Sequence, residues 1–118
     1  MKGFSNGGDG DVIISREAIA TIAGSVAIEC FGIVGMASVS VKDGIVNLLR
    51  RDSIQKGIEV TVENGEISLG FHVIVAYGVS ISAVAENLME NVRYKVEEYT
   101  GMKVRGIEVL VDGVRPID

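Results

Sequence analysis

Gly57-Ile-Glu-Val-Thr-Val-Glu63, then Asn64-Gly65, then Glu66-Ile-Ser-Leu-Gly-Phe-His-Val-Ile-Val-Ala76 is the stretch that decides the fold. Apolar and polar residues alternate on both sides of Asn64-Gly65, a pair that accepts the positive φ angles of a type I′ turn. A two-residue turn fixes the register. Glu63 then faces Glu66, Val62 faces Ile67, Val60 faces Leu69 and Ile58 faces Phe71. The three apolar pairs share one face, so turn chemistry and hydrophobic pattern select the same pairing independently. The other face carries Glu59, Thr61, Ser68, Gly70 and His72. A hairpin with one apolar face needs a cover.

The flanking sequence supplies two helices. Ser15 reads as an N-cap with Glu17 in the first turn, where the positive end of the helix dipole favours an acid. Ile19, Ile22, Ala23, Val26, Ala27 and Cys30 follow at steps of three and four, one helical stripe that Gly32 stops. Downstream, Ser80 or Ser82 caps a second helix striped by Ile81, Val84, Ala85, Leu88, Met89, Val92, Val96 and Tyr99, and Gly101 ends it. Its opposite face, with Glu86, Glu90, Arg93 and Glu97, reads as solvated. This longer helix is expected to be the main cover of the hairpin.

Shorter pieces complete the order. Val12–Ile14 and Ala37–Val41 read as strands, and Asp43 as the cap of a short helix with Ile45, Leu48 and Leu49 on one side. Asp52–Lys56 reads as a polar loop. Lys103–Asp112 is a last strand with Ile107, Val109 and Val111 on one face. Val104 is out of phase with them, and a bulge near Gly106 would restore register. The expected fold is α+β: a mostly antiparallel sheet of about four strands with two main helices packed on one face. Residues 12–114 form the domain, with tails at 1–11 and 115–118.

A chain of 118 residues, 47% hydrophobic and 23% charged, builds one domain with a real core. Its net charge of −5 argues against a general binder of phosphate backbones. Cys30 is the sole cysteine, so no intrachain disulfide forms, and a lone thiol among apolar residues fits a reducing cytoplasm. The Gly/Asn/Asp-rich start is unlike a signal peptide, and no apolar run reaches the ~20 residues of a membrane span. A membrane link is therefore expected through a partner, without direct insertion.

No catalytic, metal or cofactor constellation emerges. His72, the only histidine, sits on the polar hairpin face diagonal to Glu59 and reads as a sheet-face residue. Cys30 has no second Cys or His to pair with and reads as core. Gly32-Ile-Val-Gly35 matches the four-residue signature of a KH nucleic-acid domain, but no base adjoins it to hold phosphate. A KH-like nucleic-acid-binding module is thus one alternative. A small-ligand or acyl-chain carrier is another, which the apolar turn at Ile33-Val34 permits.

Several stretches, taken in order, resemble the alkaline shock protein family of Gram-positive bacteria. They are Ser15-Arg-Glu-Ala-Ile-Ala-x-Ile-Ala-Gly24, Gly32-Ile-Val-Gly-Met-Ala37, Gly57-Ile-Glu-Val60 and Tyr77-Gly-Val-Ser-Ile81. Val84-Ala-Glu-Asn-Leu-x-Glu-Asn-Val92, Thr100-Gly-Met102 and Ile107-x-Val-x-Val-x-Gly-Val114 complete the set. The resemblance implies a cytoplasmic, non-enzymatic α+β protein of the envelope stress response. It also implies protein–protein contacts, self-association and attachment to the membrane through an anchored partner.

Two surfaces follow as expectations. Residues 42–57 carry a net charge of +2 against −7 for the rest of the chain. Arg50, Arg51 and Lys56, beside Leu48 and Leu49, form a candidate docking patch for that partner. Ile74, Ala76 and Leu110 are apolar where strict alternation expects polar residues, and form a candidate self-association surface.

Overall fold

The computed structural model describes residues 15–39 and 44–116. The expected N-terminal tail, the strand at Val12–Ile14 and the cap at Asp43 lie outside them, as do Lys42 and the last two residues.

Ser15 caps α1 (Arg16–Ile28), its hydroxyl accepting the Ala18 N–H at 3.0 Å. The helix ends at Ile28, a turn earlier than Gly32 suggested. Cys30 therefore lies in the turn after the helix, yet remains buried, its thiol donating to the Val26 carbonyl at 3.3 Å. Then come β1 (Ile33–Val39), β2 (Val46–Leu48), a 3-10 helix (Arg51–Gly57), β3 (Ile58–Glu63), β4 (Glu66–Ala76), α2 (Ile81–Thr100) and β5 (Lys103–Arg115).

Among the described residues the sheet has five strands, against about four expected. Its pairs are antiparallel except β4 with β5, which is parallel and uses α2 as the crossover such a pair requires. The hairpin register is as the sequence dictates, from Glu63↔Glu66 to Ile58↔Phe71. Asn64 and Gly65 take φ of 54° and 76°, the left-handed pair of a type I′ turn. The 11-residue β4 carries β3 and then β1 along one edge, and β5 along the whole of the other.

The β5 bulge falls where the sequence placed it. Ile67 pairs with Val104 and Ser68 with Gly106, so Arg105 is the extra residue, and Val104 regains the face of Ile107, Val109 and Val111. A second shift makes Asp112 an extra residue and lets β5 run on to Arg115, past the expected boundary at 114.

One face of β4 supplies the core. Ile67, Leu69, Phe71, Val73 and Val75 join Ile19, Ala23 and Ala27 of α1 and Val84, Leu88, Val92 and Val96 of α2 in a single cluster. Each large side chain there contributes about 1.5–3 kcal/mol. The cover is shared: α1 lies over β3 and the 3-10 helix, and α2 lies against α1 and β5. The buried stripe of α2 steps strictly by four, from Val84 to Thr100, leaving Ile81 and Tyr99 exposed at its ends.

Two segments differ from expectation. β1 begins at Ile33, so the apolar turn before Ala37 is already strand. The short helix expected on Ile45, Leu48 and Leu49 is instead β2, paired with β1 through Ala37↔Leu48 and Val39↔Val46. Five residues cannot distinguish a helical step from a strand, and the open edge of β1 decided it. The helical turns come later, at Arg51–Gly57, where a polar loop was expected.

Gly65→Val should destabilise the protein by roughly 1 kcal/mol or more, because only glycine takes this φ without strain. Equal melting temperatures for the two proteins would contradict the turn.

Candidate functional site

The basic segment is built on β2 and the 3-10 helix. Gly35 lets β2 close on β1, since a Cβ there would stand 2.7 Å from Leu48 Cδ1. Leu48 and the neighbouring Ile45 remain exposed. Leu49 turns the other way, packing against the core while its N–H donates to the Met36 carbonyl at 2.8 Å. Arg50 is almost wholly exposed, with only a loose 3.9 Å approach to Asp52. Arg51 opens the 3-10 helix and the exposed Lys56 stands in its last turn. Of the five residues expected in the patch, Leu48, Arg50 and Lys56 are thus placed at the surface, and Leu49 is partly buried against the core.

The apolar trio is divided as well. Ile74 is 0% exposed and Ala76 is buried with it, both outside the helix-covered cluster. Ile74 pairs with Gly35 on one side and Gly113 on the other, two residues without side chains, and its bulk fills that slot. Leu110, at 37% exposure, is the member of the trio that a second molecule can reach.

The polar groups assemble into structural contacts. His72 Nδ1 lies 2.8 Å from Asp112 Oδ2, and Nε2 lies 3.8 Å from Glu59. Both ring nitrogens face carboxylates rather than a nucleophile. Asp112 is the extra residue of the second bulge, so this bond ties the bulge to β4. Strict alternation hid that partner. Among the described residues, no group of three His, Cys, Asp or Glu could hold a metal ion.

Cys30 lines a groove of about 510 Å³ between α1 and α2, together with Phe31, Asn87, Asn91, Tyr94 and Lys95. Burial pushes its thiol above the ordinary range, offset in part by the Asn91 amide, while Glu29 raises it further. A protonated, buried thiol is a poor nucleophile. Both glycines of the Gly32-x-x-Gly35 match have packing reasons. Gly32 has φ 84° and a Cβ there would meet Val84 Cγ2 at 2.5 Å, while Gly35 admits Leu48.

The polar face of α2 is not merely solvated. The Val104 N–H donates to Glu97 Oε2 at 2.9 Å, and Arg93 donates to the Val104 carbonyl. One turn of helix therefore satisfies both backbone groups at the start of β5, where a strand edge would otherwise stand open. The i, i+4 spacing of Arg93 and Glu97 is visible in the sequence, but their target is not.

This arrangement defines an α+β protein of one mixed sheet under two helices, whose distinctive features are surfaces. The chain belongs to the alkaline shock protein 23 family, described as of cell envelope-related function, whose model matches residues 5–116. It is 41% identical over 107 residues to YloU of Bacillus subtilis (strain 168), covering 90% of this chain and 89% of that protein. It is 36% identical over 110 residues to Spy1614 of Streptococcus pyogenes serotype M6, covering 92% and 91%. Both relatives are described as uncharacterised. No solved structure matches.

Glu97→Ala should cost about 1–2 kcal/mol, the net worth of a partly exposed charged hydrogen bond plus the unpaired N–H it leaves. Glu90→Ala, on the exposed side of the same helix, should change stability by less than about 0.5 kcal/mol. Equal effects in thermal unfolding would reduce the Glu97 contact to a surface ion.

Proposed function

We propose that this chain is a non-enzymatic adaptor of the envelope stress response, cytoplasmic, self-associating and held at the membrane by an anchored partner. The observation that carries the reading is the concentration of exposed bases beside exposed apolar side chains on β2 and the 3-10 helix, in an otherwise acidic molecule. Arg50 and Lys56 offer charge to a carboxylate-rich segment, and Ile45 and Leu48 offer an anchor contact. The envelope-related family supports the setting. The partner's docking segment is acidic by this chemistry, and two or three bases alone contribute only ~1 kcal/mol each at an anionic lipid surface. Self-association rests on Leu110, in line with an isologous contact.

Arg50→Glu with Arg51→Glu is expected to leave the melting temperature nearly unchanged and to release the protein from its membrane fraction. High salt should do the same to the wild type, because exposed pairs are screened. Retention of the double variant by native membranes, at the level of the wild type and beyond what protein-free vesicles hold, would overturn the docking patch. Leu110→Glu is expected to shift a self-associating species toward monomer in sedimentation, and a wild type that is monomeric at high concentration would end that part of the proposal.

A further inference from the structure

The end of the sheet opposite the Asn64-Gly65 turn gathers exposed apolar side chains from four elements. The Gly32 carbonyl accepts the Ala76 N–H at 2.8 Å, and the Tyr77 N–H donates to the Arg115 carbonyl at 2.8 Å. Ile33 pairs with Val75, which pairs with Val114 on its other side. Gly32 packs against Val84 and Val79 at the start of α2. The turn after α1, the start of β1, the β4–α2 turn and the end of β5 therefore meet at one end of the molecule. Phe31 and Tyr77 are 74% and 78% exposed there, and Ile81 and Val114 are each about half exposed.

We propose that this end rests directly on the lipid–water interface of a membrane, with Phe31, Tyr77, Ile81 and Val114 entering the headgroup–acyl boundary. Charge is the first argument for lipid. Residues 30–41 and 76–85 carry no acid and no base, and Arg115 places a base beside Tyr77. An acidic rim would be repelled by anionic headgroups; the turn that bears Tyr77 has no acid, and the turn that bears Phe31 has one, Glu29 at its start.

The second argument is the backbone. In lipid, polar backbone groups must find partners within the protein. At this end several do: Cys30 and Ile33 donate to Ala27 and Cys30, Ala76 to Gly32, Tyr77 to Arg115, and Val84 to Ser80, while the Ser80 hydroxyl takes the Ala83 N–H. The third is chemical type. Tyrosine, apolar with a polar tip, settles at the interface, and phenylalanine is among the side chains that interfacial segments bury in it.

Four partly exposed side chains also offer less area than the ~800 Å² per partner of a stable protein interface. The contact is reversible, of the order of one acyl chain, with an affinity on the order of 10⁴ M⁻¹. It orients a chain that the basic patch recruits, and it does not depend on that patch.

The test is flotation with vesicles of equal parts phosphatidylcholine and phosphatidylglycerol, using the full chain. The wild type should float at lipid concentrations near or above roughly 0.1 mM. It should continue to do so in high salt, and so should Arg50→Glu with Arg51→Glu. Phe31→Ser with Tyr77→Ser should reduce the floated fraction at least fivefold with an unchanged melting temperature. A wild type that stays with the soluble fraction at every lipid concentration, or a double-serine variant that floats equally well, would overturn the proposal. If the double-serine variant leaves native membranes while the wild type ignores vesicles, the end contacts a protein and the lipid assignment is wrong. Loss of native-membrane retention by the arginine variant alone bears on the docking patch and leaves this contact standing.

Discussion

The pairing of β4 with three other strands is the constraint on which the structure depends. An 11-residue strand with apolar residues at every second position can bury one face, but only if both of its edges are occupied. β3 and β1 divide one edge between them and β5 takes the other. The helices then have a continuous apolar floor from Ile67 to Val75, and their stripes close over it. The hairpin turn sets where the floor begins, so a slip of one residue at Asn64-Gly65 would turn all of it toward water.

β5 shows how a long parallel partner is kept in phase. Two strands of unequal phase can share a face only if one of them gains residues, and Arg105 and Asp112 are those residues. Each is then used. Arg105 approaches Glu63 at 4.0 Å, and Asp112 reaches His72. Arg93 and Glu97 hold the first residues of the same strand from the side of α2. A strand that the hydrophobic pattern alone would leave out of register is fixed at its start and near its end by polar contacts.

These polar groups hold elements in position. His72 faces carboxylates, Cys30 is buried, and the glycines at 32 and 35 make room for Val84 and Leu48. The surfaces proposed for function are the basic segment, the exposed Leu110, and the end around Phe31 and Tyr77. A family described by a cell envelope-related function gives these surfaces their setting.

The sequence by itself determined the hairpin and its register, the cap at Ser15, the bulge near Gly106 and the family, and it narrowed the second cap to Ser80 or Ser82, because each rests on local chemistry or on an ordered set of short patterns. The cap at Ser15 and the turn at Asn64-Gly65 are decided within four residues. Tertiary structure alone decided the rest. Ile45–Leu49 became a strand because the edge of β1 was open to it. Ile74, read as a surface residue, is buried because the strands on either side present Gly35 and Gly113 beside it. Glu97 and Asp112 gained their partners seven and forty residues away, Val104 and His72, only when β5 was laid along β4. Pairing across such distances depends on which edges remain free once the core has closed, and no local pattern records that.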